Sequence, residues 1–455
     1  MSRGTWLGFL ALALAGCERK PDVVFITLDT LRVDHVGAFN PDSPAKTPHI
    51  DSLAAEGIVY TNAWSPISVT GPAFCTLLTG REPGTHTVTM NLFRGGQPLP
   101  EEEQTLAEVL GAEGWSTGGF VSGFTLQSKL RLRQGFDRYT APGAKLRRRM
   151  GDATANWMWW WLSLQPAPVF AWYHSYDAHG PLSPWDEPAI TPDLQRGGPD
   201  LERIPRYQRI ENISDLDFFK ARYATAVEFA DAQVGTVLDQ LRATGRYDNA
   251  VIVFTADHGE SFDERALWLD HGTHASPEQL HVPLIVRYPD GRGAGSRNDE
   301  LVGLSDVMPT MLAYLGIDSD IAFDGRSLLD DGRRQRLTGE SSHCKNEKPL
   351  QCAPHGYGGK RLAVRDDARA VHRIPTEDGV VIEVYDRTRD PLELKPLAPD
   401  SALAAVLPPE EAVLSAMLAR RIALTPDETP AEAPKTRKEQ EELEALQALG
   451  YVDGP

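Results

Sequence analysis

Several apolar, β-branched runs along the chain end abruptly in carboxylates or histidines. Val23–Leu28, within PDVVFITLDTLR, stops at Asp29; the run in PVFAWYHSYDAHGP stops at His174, Asp177 and His179; Val251–Thr255, within NAVIVFTADHGE, leads into Asp257 and His258. Unbroken apolar runs without alternation predict strands buried on both faces. Reactive side chains at their ends predict a site at the carboxyl edge of a parallel sheet. The intervals are helical in pattern. ARYATAVEFADAQVGTVLDQLRATG places Val227, Ala230, Val234, Leu238 and Leu241 on one face and stops at Gly245, and TPHIDSLAAEGI and EEEQTLAEVLGAEG read the same way. The alternation predicts an α/β fold, a central mostly parallel sheet with helices on both faces.

Past Gly325 the pattern changes. KRLAVRD, ARAVHRI and GVVIEVYD are short and β-rich, which predicts a small C-terminal antiparallel subdomain. A Pro/Ala/Glu-rich stretch, ALTPDETPAEAPKTRK, then leads to a terminal helix carrying Leu443, Leu446 and Leu449 and stopped at Gly450. The expected organisation is a signal peptide over 1–16, an anchor segment over 17–22, a catalytic domain over 23–335, the β-rich subdomain with helix over 336–423, a linker over 424–437 and a terminal helix and tail over 438–455. Trp157, Trp159, Trp160 and Trp161 fall on a helix ahead of the strand ending at His174. Such a cluster serves either packing or contact with a membrane surface or sugar. The adjacent Arg147, Arg148 and Arg149 are either a solvated loop or a contact for an anionic surface.

Charge narrows the partners. With 46 Lys and Arg against 64 Asp and Glu, the formal charge of −18 argues against a nucleic-acid partner. An anionic ester substrate would have to be drawn by local cations or a metal. The N-terminus MSRGTWLGFLALALAGCERK is an export signal too short to span a membrane, and its Leu14–Cys17 resembles a bacterial lipobox with Cys17 as the lipidated residue. That predicts an exported protein anchored to a membrane by lipid, on the periplasmic or cell-surface side, with Glu18 leaning toward the outer membrane. In such an oxidising compartment Cys344 and Cys352 could bridge the loop CKNEKPLQC, leaving Cys75 as a buried free thiol. Nothing in the sequence fixes an oligomeric state.

Asp29, Asp257 and His258, brought together at strand ends, would supply two carboxylate oxygens and an imidazole nitrogen. This set suits Mn²⁺, Zn²⁺ or Mg²⁺ better than Ca²⁺, which favours oxygen alone. A second feature is SPISVTGPAFCTLLTG, Ser65–Gly80, where a helix beginning near Pro72 would make Thr70 its N-cap. The free amides and positive dipole end of that helix would suit a phosphate or sulfate group. Thr70 would then be either a plain cap or a nucleophile that needs a metal beside it, a bare hydroxyl being weak.

These residues carry a resemblance. PDVVFITLDTLRVDHVG, TPHIDSLAAEGIVYTNAWSP, LLTG at Leu77–Gly80, YDAHGP, VIVFTADHGE, EQLHVPLIVRYP, FDGRSLL and the ending LQALGYV resemble the sulfatase family of the alkaline phosphatase superfamily. Counting back from LLTG lays the family's Cys/Ser-x-Pro-x-Arg nucleophile motif onto Thr70, Gly71, Pro72, Ala73 and Phe74. The family oxidises Cys or Ser there to formylglycine. A threonine would give a ketone instead, and the supporting arginine is Phe74. The family's paired aspartates are Asp29 and Thr30 here, and its late Asp-Asn is Asp257 and His258. The set resembles threonine-nucleophile relatives that act on phosphoesters. The resemblance implies that His179 contacts the ester, that His179 and His274, or His271 in competition with His274, stabilise the anion or protonate the leaving oxygen, and that Asp177 is either a further ligand-region aspartate or a satisfied turn residue. His35 and His86 read as structural. The expected function is a metal-dependent hydrolase or transferase of phosphate or phosphonate esters through Thr70. The alternatives are a genuine sulfuric ester hydrolase and a non-catalytic anchored binder of anionic polymers.

Overall fold

A computed structural model describes residues 19–423 except 93–95, 144–147, 183–193, 266–267, 343–359, 377 and 402. The expectations for the signal peptide, for Cys17, for the Cys344–Cys352 bridge and for the linker and terminal helix beyond 423 lie outside the described residues.

The strands in chain order are β1 Asp22–Leu28, β2 Ile58–Tyr60, β3 Ala63–Trp64, β4 Ser116–Val121, β5 Arg138–Thr140, β6 Val169–Ser175, β7 Ala250–Ala256, β8 Leu284–Arg287, β9 Ser296–Asn298, β10 Val302–Gly303, β11 Leu337–Glu340, β12 Leu362–Arg365, β13 Arg369–Thr376 and β14 Gly379–Asp386. The 8-stranded sheet runs β5-β4-β6-β1-β7-β8-β2-β9. It is parallel from β5 to β7, and β8 runs antiparallel to both β7 and β2. Every residue of β1, β6 and β7 is buried, which is why their sequences show no alternation. The register puts Leu28 beside Ser175 and Ala256, so Asp29 and Asp257 leave the sheet side by side. Sequence separation is cancelled by pairing.

The helices are α1 Pro48–Glu56, α2 Thr70–Thr79, α3 Pro83–His86, α4 Leu106–Ala112, α5 Gly151–Leu162, α6 Asp200–Arg203, α7 Leu216–Ala243, α8 Pro277–Leu280, α9 Val307–Leu315 and α10 Pro408–Ala423. On one face α5 packs on β4, β6 and α7, and α1 packs on α7; α2 contacts α3, α4 and α9 on the other. The start of α4 is a full capping box, with Thr105 accepting from the Glu108 amide and the Glu108 side chain returning to Thr105. In α5 only Trp161 of the tryptophan cluster is buried; Trp157, Trp159 and Trp160 are exposed.

The expected antiparallel region is a separate 4-stranded sheet, β11-β12-β13-β14, backed by α10. Leu362, Val364, Val371 and Val384 form its core with Leu414 of α10. It is pinned through one buried carboxylate. Glu393 receives two hydrogen bonds from Arg365 at 2.9 Å and one contact from His372 at 2.6 Å, and the Arg365 guanidinium lies 4.5 Å over the Trp64 ring of the larger unit.

Candidate active site

The carboxyl ends of β1 and β7 bring Asp29, Asp257 and His258 together, wholly buried, with one ligand atom from each within 4.8 Å of the others. Each has a second atom already held by the protein. Asp257 Oδ1 accepts from the backbone amides of Thr30 at 3.0 Å and His258 at 2.8 Å. His258 Nδ1 lies 2.8 Å from the Gly259 carbonyl, which makes it the protonated nitrogen and leaves the Nε2 lone pair. Asp29 Oδ2 lies 3.3 Å from His174 Nε2, whose other ring nitrogen faces the Ser122 amide. Among the described residues the remaining atoms, Asp29 Oδ1, Asp257 Oδ2 and His258 Nε2, accept or donate no hydrogen bond, and His258 Nε2 and Asp257 Oδ2 face each other at 3.4 Å. Thr30, whose amide donates to Asp257, itself adopts a left-handed φ of 56°.

The electrostatics match that geometry. Burial pushes Asp29 well above the usual carboxylate range, with the negative charge of Asp257 adding to it, and pushes Asp257 up to about 7. Burial likewise holds His258 well below the usual imidazole value. Two buried carboxylates and a neutral imidazole, each aiming an orphaned atom at one point, fit a divalent cation, which would supply the missing partner for all of them.

The Thr70 hydroxyl faces the Asp29 carboxylate. The helix start differs from expectation in two ways. Val69, with extended φ and ψ, is the N-cap and Thr70 is the first residue of α2, because the chain is still in β conformation one residue earlier than the pattern suggested. The amides after Thr70 are also already engaged. Gly71 N–H donates to Asn91 Oδ1 at 2.9 Å, Pro72 has no N–H, and Ala73 N–H bonds the Val69 carbonyl at 3.2 Å. Gly71 is small for a reason other than substrate approach: a Cβ there would stand 2.8 Å from Asn91 Oδ1. Phe74 is fully buried against Trp172 and His174, with centroids 5.2 and 5.0 Å away. Cys75 is a buried free thiol whose pKa is pushed up by burial.

Of the sequence-derived histidines, the structure groups His271 and His179 with His258. His271 lies 4.6 Å from His258 and 5.0 Å from His179, centroid to centroid. Its Nδ1 is 3.2 Å from Glu260 Oε1, and Glu260 is held by Gln208 Nε2 at 3.2 Å and, through its carbonyl, by Arg32 at 2.7 Å. His179 stacks on Tyr176 at 4.1 Å and bonds the Gly180 carbonyl through Nδ1. His274 has its Nδ1 2.9 Å from Thr273 Oγ1 and its carbonyl accepts from Ser68 Oγ, two residues before Thr70, at 3.1 Å; its pKa is lowered to about 3 by burial and by Arg361 and Arg265. Asp177 serves the start of α5: it accepts from the Gly151 amide at 3.0 Å and from Ser175 Oγ at 2.6 Å. His35 pairs with Asp34 at 2.7 Å, and His86 with Thr76 at 3.0 Å.

Asn91, His174 and Glu260 are the supporting residues that pattern reading did not assign. Only His174 carried a signal, as a strand-end histidine. The others are defined by contacts across the fold.

A family model described as Sulfatase matches residues 21–317. An ulvan-active sulfatase of Formosa agariphila is 26% identical over 340 residues, 68% of this chain and 65% of that protein, so the chain spans just under two thirds of its length. Human arylsulfatase A is 28% identical over 369 residues, 70% of this chain and 69% of that one. Among solved structures, the phosphonate monoester hydrolase of Agrobacterium radiobacter superposes with a TM-score of 0.72 at 22% identity, over 88% of this chain and 96% of that one.

Proposed function

Because the chain belongs to the sulfatase family, we propose that it is a divalent-cation-dependent ester hydrolase, or transferase, with Thr70 as nucleophile and a preference for phosphate or phosphonate over sulfate esters. The observation that carries the reading is the convergence of Asp29 Oδ1, Asp257 Oδ2 and His258 Nε2, buried and without a hydrogen bond among the described residues, beside a threonine hydroxyl at a helix start. Sulfatase-family enzymes use a divalent metal ion. Asp29, Asp257 and His258 would hold it here, with Mn²⁺, Zn²⁺ or Mg²⁺ suited to the mixed donors and Ca²⁺ less so. Bound there, it supplies the positive charge that makes a hydroxyl reactive and offsets charge on the ester oxygens.

The protein's own groups do the rest. Thr70 Oγ passes its proton to the Asp29 carboxylate that it faces and attacks the phosphorus in line, forming a threonine ester as the bond to the leaving oxygen breaks. His271, braced through Nδ1 by Glu260, keeps Nε2 to protonate that oxygen. His179, with Nδ1 committed to Gly180, offers its other nitrogen to the ester. Water, or a second alcohol in a transferase, then releases the ester. Phosphoester chemistry is favoured because Thr70 cannot become an aldehyde and because Phe74, packed on Trp172 and His174, fills the position of the family's arginine with an apolar ring.

The test is turnover of aryl sulfate, phosphate monoester, phosphodiester and phosphonate by the purified, metal-analysed protein and its Thr70→Ala variant. Sulfate turnover above the rest, or activity that survives Thr70→Ala, overturns the proposal. A protein that binds no metal points instead to the anchored binder. The same reading includes export and lipidation at Cys17, supported by the lipobox-like Leu14–Cys17, with a catalytic unit over 23–335 and a β-rich unit over 336–423.

A further inference from the structure

We propose that the exposed face of α5 rests on the headgroup layer of the membrane that holds the chain, an inference that builds on the lipidation of Cys17. The helix has two apolar sides. Thr154, Ala155, Met158, Trp161 and Leu162 face the core, while Trp157 and Trp160 stand on the opposite stripe at 44% and 55% exposure. Trp159 and Leu164 extend the patch at 36% and 62%. Among the described residues no element covers these side chains. Tryptophan is the side chain suited to the boundary between water and hydrocarbon, an apolar body with one polar N–H.

The occupant follows from where the chain enters the fold. Arg246 bridges the two places: its guanidinium bonds Asp22 Oδ2 at 3.1 Å and the carbonyls of Leu162 and Gln165 at 3.3 and 2.6 Å. The end of α5 and the first residue of β1 are thus joined by one side chain. Upstream, the Arg19 carbonyl is held by Asn249 at 3.2 Å and the Pro21 carbonyl by Trp115 at 2.9 Å, so the entering chain is fixed to this edge. Cys17 is two residues further, a reach of about 7 Å. A lipid at Cys17 therefore brings the bilayer to the edge where Trp160 and Leu164 emerge.

Charge agrees with that occupant. The chain carries −18 overall, which opposes approach to an anionic surface, yet Arg138 and Arg149 flank the Trp157 ring at 5.8 and 5.9 Å. An apolar patch edged by arginine is the local exception that a phosphate headgroup layer accepts.

The experiment reconstitutes the full-length lipidated protein in phosphatidylethanolamine/phosphatidylglycerol vesicles bearing a doxyl quencher near the headgroup. Tryptophan fluorescence is compared with that of the Trp157→Ser/Trp159→Ser/Trp160→Ser variant, and N-terminal mass spectrometry reports lipidation. The expected result is quenching of the wild type that is largely lost in the variant, with both proteins melting alike. Quenching that is absent, or unchanged in the variant, on a chain shown to be lipidated overturns this proposal and leaves the anchor standing. A chain found without lipid overturns both. Crosslinking of two copies through Trp160→Cys, without quenching of the wild type, assigns the patch to self-association and overturns it as well.

Discussion

At the residue scale, the site is built from atoms with two different duties. One atom of each of Asp29, Asp257 and His258 is tied to the protein, and the other is left without a hydrogen bond among the described residues. Removing a tie should therefore loosen the cation without removing a ligand. His174→Phe, which leaves Asp29 Oδ2 without its imidazole, is expected to weaken metal affinity about 10–100-fold, measured by competition with a chelator. Unchanged affinity would show that His174 only packs. Asp177 gives a prediction of another kind. Burial raises its pKa from 3.8 to about 6, outweighing the bonds from Ser175 and Gly151. A raised acid binds its proton more tightly when folded, so its contribution is present below the ordinary value and lost as pH rises through about 6. The span is about 3 kcal/mol. Asp177→Asn should flatten the pH dependence of the urea midpoint across that window, and parallel curves for the two proteins would refute the assignment. The metal-facing residues were legible in sequence because each ends a buried strand. Asn91 and Glu260 were not, since what defines them is a backbone amide at Gly71 and an imidazole at His271, brought near only by the fold.

At the scale of elements, β1, β6 and β7 were read almost to their ends, because burial on both faces leaves an unambiguous apolar run. The helix at Thr70 was placed one residue late, and the consequence was chemical. Its Gly71 and Ala73 amides are taken by Asn91 and Val69, so the expected anion cradle narrows to the dipole of the helix and the Thr70 amide. Which amides are free is a tertiary fact that no local pattern carries. Gly71→Ala tests the arrangement, since its Cβ would press on Asn91 Oδ1 at 2.8 Å. Activity should fall by up to about 100-fold through misplacement of Thr70, with the melting temperature little changed. Equal losses in folding and activity would mean that the contact is merely structural. A plainer case is α4, where Thr105→Ala removes the capping box and should lower stability by about 1 kcal/mol in denaturant titration.

At the scale of the molecule, the two sheets are held by a buried charge cluster rather than by apolar contact alone. Arg365 spans it, bonded to Glu393 on one side and stacked over Trp64 on the other. Glu393 is depressed below the usual range, burial opposing but Arg365 and His372 prevailing. Its stabilisation is therefore present above the ordinary carboxylate value and lost as pH falls below it. Glu393→Gln leaves buried Arg365 without its counter-charge and should cost about 3–5 kcal/mol, seen as earlier unfolding of the β-rich sheet in hydrogen exchange. Uniform exchange across both sheets would argue that they unfold as one. The subdomain itself was legible from its short alternating strands, whereas this junction depends on Trp64 and Arg365 meeting across a great distance in sequence. One further consequence lies in β1. The chain enters it at Asp22 and leaves it at Asp29, so the lipid proposed at Cys17 and the nucleophile proposed at Thr70 would belong to opposite rims, about 20 Å apart. Held by a lipid at Cys17 and lying on α5, which runs from Asp177 at the second rim to Arg246 at the first, the enzyme would keep the second rim open at its side to the aqueous compartment. Its turnover should follow the bulk concentration of a dissolved ester and ignore surface dilution, the signature of a catalyst that is held at a membrane but does not feed on it.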